Sequence, residues 1–117
     1  MKTTNEIASR LISLCTAHQF VQAYTELFSE HAESIDPNYK NVPLKGLNGL
    51  IEREKAFLSI AEVHEVKTSA PIFAGSYFSI VMSLSFTPNG QERKSVEEIC
   101  VYKVEYGLIV SQQFFIG

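Results

Sequence analysis

The spacing of apolar residues changes once along this chain, and that change is the strongest constraint on its fold. Up to about residue 60, apolar side chains recur every three or four positions, as on one face of an α-helix. Beyond that point they alternate with polar side chains, as in half-buried β-strands. Helices followed by strands are typical of an α+β domain whose helices lie on one face of a curved sheet. We therefore predict a single domain over residues 1–117.

The first half of the chain predicts three helices. The first follows an N-cap at Thr4, without a capping box, and its apolar face carries Ile7, Leu11, Leu14 and Cys15. The apolar face of the second consists of Phe20, Ala23, Tyr24, Leu27 and Phe28, with His31 one turn further on. A short extended segment, Glu33–Ile35, is closed by Asp36-Pro37, because the residue before a proline disfavours helix. After a loop over Asn38–Asn48, the third helix is predicted from Leu50 to Ile60.

The second half predicts a four-strand antiparallel meander. Its first strand spans Glu62–Ala74, and Pro71 within it implies an edge or a bulge. The next strand, Ser76–Thr87, alternates cleanly and places on one face Phe78, Ile80, Met82, Leu84 and Phe86. A turn at Pro88-Asn89-Gly90 joins it to a strand over Glu92–Val104. A second turn, at Tyr106-Gly107, leads to the last strand, Leu108–Ile116.

Composition and motif spacing exclude several classes of function. Ten Lys and Arg against 13 Asp and Glu give a net charge of −3 without a basic run, so we expect neither nucleic acid nor a membrane as partner. The first residues lack the continuous apolar stretch of a signal peptide. Cys15 and Cys100 have no CxxC spacing, and no set of histidines, cysteines and acids has metal-ligand spacing. We expect a cytoplasmic protein with reduced cysteines, no metal and no other cofactor.

Three stretches of the chain, in this order, carry a family resemblance. They are Asp36-Pro37 after the second helix, Leu44–Leu50 with the glycine that opens the third helix, and Val101–Phe115 with the turn before an aromatic-rich last strand. Together they resemble the cone-shaped NTF2-like (cystatin-like) fold of nuclear transport factor 2, the SnoaL-like polyketide cyclases and ketosteroid isomerase. The resemblance implies three N-terminal helices packed in the concave face of a curved, mostly antiparallel sheet, around a cavity for a small molecule.

The same resemblance makes Asp36 the principal catalytic candidate. It places Asp36 where ketosteroid isomerase keeps its general base, a carboxylate that moves a proton between neighbouring carbons of a ketone. The alternative role for Asp36 is to cap the turn at Pro37. The oxyanion donors of that enzyme are missing, because the first helix offers Leu11 and Ile12, and the late-strand position is Cys100. We therefore do not expect steroid isomerisation itself.

Glu98 and Tyr102 are weaker catalytic candidates on the penultimate strand. They share a face with Cys100, so they face the cavity if Cys100 does. An inward glutamate must be paired or protonated, and the alternative is that Glu98 lies at a wet rim. For Cys100 the alternative is a small buried apolar residue. His31 is either a proton carrier in the cavity or a partner for the end of the second helix.

The candidate ligand-binding residues combine an apolar wall with a few polar groups, as small-molecule sites do. Gln112 is the expected hydrogen-bonding partner of a ligand, and two tyrosine hydroxyls are further polar groups. For each apolar member, the alternative is plain core packing. The full candidate set is Tyr24, Phe28, His31, Tyr39, Phe57, Ile80, Met82, Leu84, Cys100, Gln112, Phe114 and Ile116.

The opposite face of the sheet predicts a protein partner. It carries Tyr77, Val81, Ile99 and Val101, and no helix is left to cover it. The resemblance also implies a homodimer through this outer face, and a different protein partner is the alternative.

The leading functional prediction is a protein that binds an apolar small molecule. If it is an enzyme, it carries out cofactor-free isomerase, cyclase or dehydratase chemistry on a ketone-like or polyketide-like substrate, with Asp36 as base and Gln112 or Tyr102 orienting the substrate. The rival prediction is a non-catalytic binding or interaction module whose cone is filled by its own side chains.

Overall fold

The computed structural model describes all residues, 1–117, as three α-helices, one 3₁₀ turn and seven strands. The helices are α1 (Thr4–Thr16), α2 (Phe20–Leu27) and α3 (Leu47–Ile60), and the 3₁₀ turn spans Pro37–Tyr39. The strands are β1 (Phe28–Ile35), β2 (Leu44–Lys45), β3 (Ala61–Thr68), β4 (Ile72–Ala74), β5 (Tyr77–Pro88), β6 (Lys94–Glu105) and β7 (Leu108–Ile116). The α+β class predicted from the sequence is confirmed.

The N-terminus of α1 carries a capping box, contrary to the prediction. The N-cap is Thr3 rather than Thr4, so Glu6 occupies the third helical position. The Thr3 hydroxyl accepts a hydrogen bond from the Glu6 N–H at 3.2 Å, and the Glu6 carboxylate accepts one from the Thr3 N–H at 3.0 Å. A shift of one residue thus satisfies two amide groups that a helix end leaves free.

The second helix is shorter than its apolar pattern predicted. It ends at Leu27, and the backbone of Phe28 is already extended, with φ −101° and ψ 145°. The prediction that His31 ends this helix is wrong, because β1 runs through it and pairs in parallel with β7, Phe28 opposite Ile109. Pairing with a strand some 80 residues away in the chain overrides the local helical period.

The extended segment predicted over Glu33–Ile35 begins at Phe28, the predicted loop contains the 3₁₀ turn and β2, and the strand predicted from Glu92 begins at Lys94. Two other differences have a clear local cause. The third helix begins at Leu47, three residues early, because Gly46 adopts φ +102° at its N-cap, a conformation that favours glycine. The predicted strand 62–74 is split into β3 and β4. In the break, the Ser69 N–H donates to the Val81 carbonyl, and the Ser69 hydroxyl accepts from the Val81 N–H. Pro71 lies within this break, where it interrupts no ladder.

The sheet has the strand order β2-β1-β7-β6-β5-β3, with β4 added against β5. All pairings are antiparallel except that of β1 with β7. The long strands β5 and β6 pair over most of their length, from Tyr77 opposite Lys103 to Phe86 opposite Lys94. This register puts Ile80, Met82, Cys100 and Tyr102 on the buried face and Val81, Ile99 and Val101 on the other.

One hydrophobic core of 18 buried residues joins the helices to the sheet. Helix α1 contacts β3 and β5, and α3 contacts β1, β2 and β3. At the centre of the core, the Phe78 and Tyr102 rings stack with centroids 4.9 Å apart. None of the three helices has the length and apolar character needed to cross a lipid bilayer.

Candidate functional site

A cavity of about 110 Å³ lies between the helices and the sheet, and we call it the inner cavity. Twelve of its fifteen lining residues are hydrophobic, and its polar lining residues are Glu54, Glu98 and Gln112. Helices α1, α2 and α3 and strands β1, β3, β5, β6 and β7 all contribute to its wall. The hydrophobic lining residues are Leu11, Cys15, Phe20, Ala23, Tyr24, Phe28, Phe57, Val63, Met82, Leu84, Tyr102 and Phe114.

A second, more polar cavity of about 170 Å³ adjoins the first, and we call it the outer cavity. The two cavities share seven lining residues, so they lie side by side. The outer cavity adds Ser34, Asp36, Asn38, Tyr39 and Arg53 to the shared set. A molecule in the inner cavity therefore meets apolar walls on most sides and polar groups on the side that faces the outer cavity.

Gln112 holds two hydroxyl groups at the junction of the two cavities. Its side-chain amide donates to the Tyr24 hydroxyl oxygen at 2.8 Å and to the Ser34 hydroxyl oxygen at 3.0 Å. Gln112 and Ser34 are buried, with 4% and 0% of their surface exposed. Both amide hydrogens of Gln112 are thus occupied, which fixes the orientation of the amide. The Tyr24 hydroxyl accepts one of these bonds and keeps its own hydrogen to donate.

Two glutamates line the inner cavity, one from each side of the fold. Burial raises the pKa of Glu54 to about 7, and the negative charge of Glu98 adds to the shift, although Arg53 opposes it. Burial also raises the pKa of Glu98 to about 6, with a further contribution from the charge of Asp36. The Cys100 thiol donates to a Glu98 carboxylate oxygen at 3.7 Å, which partly favours the ionised form. Near neutral pH, Glu98 is mostly ionised and Glu54 is about half protonated.

Asp36 lies at the outer cavity and also caps the turn that follows it. Its carboxylate accepts a hydrogen bond from the Asn38 N–H at 2.8 Å, and Asp36 is the N-cap of the 3₁₀ turn Pro37–Tyr39. Its side chain is half-buried and lines the outer cavity together with Glu54 and Glu98. The capping role of Asp36 is thus confirmed, and its role as a general base stays a prediction.

Arg53 is the cationic side chain of this region. Its guanidinium lies over the ring of Tyr39, 4.0 Å from the ring centroid, at the edge of the outer cavity. It lines the outer but not the inner cavity. No group of three or more His, Cys, Asp or Glu side chains is arranged to hold a metal ion.

The structure brings most of the predicted site residues together. The inner cavity is lined by nine of them, namely Tyr24, Phe28, Phe57, Met82, Leu84, Glu98, Tyr102, Gln112 and Phe114. Asp36 and Tyr39 line the outer cavity. That any of these residues binds a ligand stays a prediction.

Four predicted residues lie outside both cavities. His31 is exposed on β1, where its ring lies 3.4 Å from the exposed carboxylate of Glu30. Ile80 and Cys100 are opposite each other on β5 and β6 and are fully enclosed by the core. Ile116 is 37% exposed at the end of β7. Sharing a face with cavity residues is thus not sufficient, because the helices fill the space above some positions and leave it open above others.

Sequence reasoning missed Glu54, which the structure places in both cavities. A charged residue in a helix usually points to solvent, so it carried no signal by itself. The signal was its position in the apolar stripe of α3, four residues after the buried Leu50 and three before the cavity-lining Phe57. A lone carboxyl within such a stripe indicates a buried, functional or paired acid.

The fold and the two cavities define a small α+β protein with an apolar internal site that opens on a cluster of carboxyl groups. A sequence model of the SnoaL-like domain matches residues 2–116, and the chain belongs to this family. None of the curated protein sequences matches it.

Several solved structures share the fold. A candidate SnoaL-like polyketide cyclase from Mesorhizobium loti is similar with a TM-score of 0.87 and 21% identity over 97% of this chain and 99% of that one. A second candidate SnoaL-like polyketide cyclase, from Jannaschia sp. CCS1, has a TM-score of 0.79 and 16% identity over 98% of this chain and 86% of that one.

A third similar structure is a Catenulispora acidiphila protein with a ketosteroid isomerase-like fold, in complex with trimethylamine. Its TM-score is 0.78, with 18% identity over 97% of this chain and 86% of that one. Identities this low establish a shared fold and no shared activity.

Proposed function

We propose that this protein binds a small, mostly apolar molecule in the inner cavity and exchanges protons with it through carboxyl groups, without a cofactor. The observation that carries the proposal is the composition of the wall. Twelve hydrophobic residues, two of them tyrosines, surround the space together with two glutamates and Gln112. An apolar wall with a few convergent polar groups is the usual form of a small-molecule site. The cone shape implied by the family resemblance is part of this proposal.

The size of the inner cavity favours a compact ligand. Cavities that hold drug-sized molecules measure about 300–1,000 Å³, whereas an apolar cavity of about 150 Å³ holds a single benzene ring. At about 110 Å³, the inner cavity matches one small ring or a few carbon atoms. A polyketide-like substrate would extend into the outer cavity, past Asp36 and Tyr39.

In the catalytic form of the proposal, Asp36 is a general base that removes a proton from a carbon next to a carbonyl group. Its carboxylate lines the outer cavity and accepts the Asn38 N–H, and the outer cavity adjoins the apolar space proposed for the substrate carbon skeleton. Tyr102 orients the substrate from the sheet side through its hydroxyl. Gln112 does so through its side-chain carbonyl, because both of its amide hydrogens are donated to Tyr24 and Ser34. Isomerase, cyclase and dehydratase reactions all begin with such a proton transfer.

The test is hydrogen exchange at a ketone, which needs no knowledge of the natural substrate. Cyclohexanone is incubated with the protein in deuterated buffer, and deuterium at its α-carbons is followed by NMR. We expect exchange above the buffer rate, and at least a 100-fold loss in Asp36→Asn. Glu30→Gln, at an exposed position on β1, is the matched control and should keep the full rate. An unchanged exchange rate in Asp36→Asn would contradict the role of Asp36 as the general base.

A second candidate function is non-catalytic binding of a protonated amine. The Catenulispora protein holds trimethylamine, and in this chain ionised carboxyls and aromatic rings line one space, as in sites for ammonium groups. Choline and its neutral carbon isostere 3,3-dimethylbutan-1-ol distinguish the candidates. Tighter binding of choline at pH 8, where Glu54 is ionised, supports this candidate, and equal or tighter binding of the isostere contradicts it.

We further propose that two copies of the chain associate through the outer face of the sheet. Val81, Ile99 and Phe115 lie side by side on β5, β6 and β7 and are 37%, 47% and 50% exposed. A contiguous apolar row of this kind is typical of an interaction surface. Lys103 and Glu97 are also on the outer face of β6. Each is three residues from Cys100, whose own side chain is on the buried face.

This arrangement of charges suits a symmetric pair. In this pair, the two-fold axis lies in the plane between the two packed sheets, perpendicular to β6 and level with Cys100. Lys103 of one copy then lies opposite Glu97 of the other. Association with a different protein is the alternative. Cytoplasmic location and the lack of nucleic-acid or membrane partners remain predictions from the charge balance and the N-terminal sequence.

A further inference from the structure

We infer that Glu54 is the acid of the proposed reaction. It gives a proton to the carbonyl oxygen of a substrate that lies across the junction of the two cavities, while Asp36, in the outer cavity, takes one from the neighbouring carbon. This inference rests on the proposed function and supplies a group that the sequence did not reveal. The expected oxyanion donors are missing from α1 and from position 100, so the proposed reaction needs another proton donor.

The position of Glu54 suits this role. It projects from α3 into both cavities, between Leu50, which is 2% exposed, and Phe57, which lines the inner cavity. Its carboxyl makes no side-chain hydrogen bond and no ion pair with any other residue. A partly buried carboxyl without a protein partner, adjoining an open space, is free to interact with whatever occupies that space.

The other carboxyls are less suited to donate a proton. Asp36 is the base of the proposed reaction, and its carboxylate already accepts the Asn38 N–H. Glu98 accepts the Cys100 thiol hydrogen and has the lower pKa of the two glutamates, about 6. Glu54, with a pKa of about 7, keeps its proton longest as pH rises. An acid whose pKa lies near the working pH is an efficient proton donor.

The Tyr24 hydroxyl provides a second donor on the same side. It accepts the Gln112 amide at 2.8 Å, so its own hydrogen is available for a ligand oxygen. Burial, followed by the charge of Glu54, raises the pKa of Tyr24, which keeps this hydrogen in place over the whole working pH range. The substrate oxygen thus meets two donors, one from α2 and one from α3.

The proton transfer balances without an oxidant or another reactant. The Asp36 carboxylate removes a proton from the α-carbon, and the C–H electron pair forms a carbon–carbon double bond. The carbonyl π electrons move to oxygen, which takes the Glu54 proton and leaves an enol and a Glu54 carboxylate. Return of the Asp36 proton to carbon and of the enol proton to Glu54 restores both groups, and no atom changes oxidation state overall.

The test combines the pH profile of α-deuterium exchange into cyclohexanone with two glutamine variants of α3. In the wild-type protein, we expect the rate to fall above about pH 7 as Glu54 ionises. Glu54→Gln should lose about 10²–10³-fold in rate, the usual effect of losing one such donor, together with this alkaline decrease. Glu52→Gln, at an exposed position of the same helix, should keep both rate and profile.

The outcomes separate the two levels of the proposal. If the exchange rate depends on Asp36 but Glu54→Gln changes neither the rate nor its alkaline decrease, the role of Glu54 is overturned and that of Asp36 stands. A wild-type protein that exchanges no faster than buffer overturns the catalytic proposal, and the role of Glu54 with it. Titration of ¹³C-labelled glutamate carboxyls by NMR gives a second reading, since a Glu54 signal that titrates near pH 4.5 contradicts the inference regardless of substrate.

Discussion

Glu54 on α3 and Glu98 on β6 line the same cavity, where burial raises the pKa of Glu54 and the ionised Glu98 carboxylate raises it further. Glu98 therefore loses its proton first, near pH 6, and its charge opposes the ionisation of Glu54 until about pH 7. The cavity wall consequently gains a second negative charge close to neutral pH. Burying a charged carboxyl is costly, so a carboxyl with a shifted pKa in an apolar cavity marks a candidate functional site.

The first prediction concerns stability against pH in Glu54→Gln. Glu54 has a pKa of about 7 in the folded protein and 4.5 as its ordinary value, so between these values the folded state binds more protons than the unfolded state. The free energy of unfolding then falls as pH rises through this window, by up to about 3 kcal/mol. Glutamine does not titrate, so the variant lacks this decrease. Urea unfolding at pH 4.5, 6 and 8 measures the effect.

The free energy of unfolding of Glu54→Gln, minus that of the wild type, should increase steadily from pH 4.5 to 7 and stay constant above pH 7. Glu52→Gln is the control, because Glu52 is exposed on the same helix and its stability curve should run parallel to that of the wild type. Parallel curves for Glu54→Gln as well would show that Glu54 ionises as it does in water, and would contradict the burial of its carboxyl.

The second prediction concerns the hydrogen bonds of Gln112. Gln112→Leu keeps the side-chain volume but leaves the fully buried Ser34 hydroxyl without its donor. We expect a loss of about 1–3 kcal/mol in the free energy of unfolding, the usual cost of an unsatisfied buried polar group. The double variant Ser34→Ala/Gln112→Leu should be destabilised by less than the sum of the single changes, because it removes both partners.

Urea unfolding of the four proteins in this cycle measures the coupling, and Gln91→Leu, in an exposed turn, is the control for glutamine removal as such. Additive effects would mean that the Gln112–Ser34 bond contributes no stability.

Much of this fold could be predicted from local pattern, and the errors have identifiable causes. The alternation over β5 predicted its buried face correctly, since Phe78, Ile80 and Met82 are all buried. The same kind of reasoning failed at His31, because the helical spacing of apolar residues in α2 continues into residues that form β1. The competing interaction is the pairing of β1 with β7, which no local window contains.

The site was harder to predict than the fold, because a cavity is space that side chains from several elements leave unfilled. Cys100 and Met82 share the buried face of the sheet, yet Met82 lines the inner cavity and Cys100 does not. The difference depends on the side chains that the helices place above each position, which the strand pattern does not encode. Glu54 had a local signal, its place in an apolar stripe, but the family resemblance drew attention to Asp36 instead.

The third prediction concerns the two thiols. Burial, assisted by the charge of Glu54, raises the pKa of Cys15 to about 12, and burial also raises the pKa of Cys100. Both thiols should therefore resist a disulfide reagent in the native protein at pH 8 and react at once in denaturant, because the thiolate is the reactive form. Rapid native-state labelling of either cysteine would contradict the enclosed core.

Ligand binding should affect the two thiols differently. Cys15 lines the inner cavity and Cys100 does not, so a bound ligand should slow the labelling of Cys15 beyond any general stabilisation. Mass spectrometry of the two labelled peptides, with and without cyclohexanone, measures each rate, and the rate at Cys100 serves as the internal control for global unfolding.

The fourth prediction concerns association through the outer face. In the proposed dimer, Lys103 of one copy lies opposite Glu97 of the other, and symmetry makes this contact twice. Either Lys103→Glu or Glu97→Lys alone therefore creates two contacts between like charges. Each single reversal should weaken dimerisation about 10-fold or more, and the double reversal should recover most of the loss, because it restores opposite charges. Sedimentation velocity over a range of concentrations gives the dissociation constants.

Ile99→Asp provides the complementary test at the centre of the same face. It leaves the charged pair intact but places a carboxylate within the apolar row of Val81, Ile99 and Phe115, so it should give a monomer at all accessible concentrations. Lys94→Glu, at an exposed position of β6 on the other face of the sheet, controls for added negative charge on this strand. Charge reversals that weaken association singly and do not recover together would place the two-fold axis elsewhere on the sheet. A wild-type protein that sediments as a monomer would contradict the homodimer and leave the face to a different protein partner.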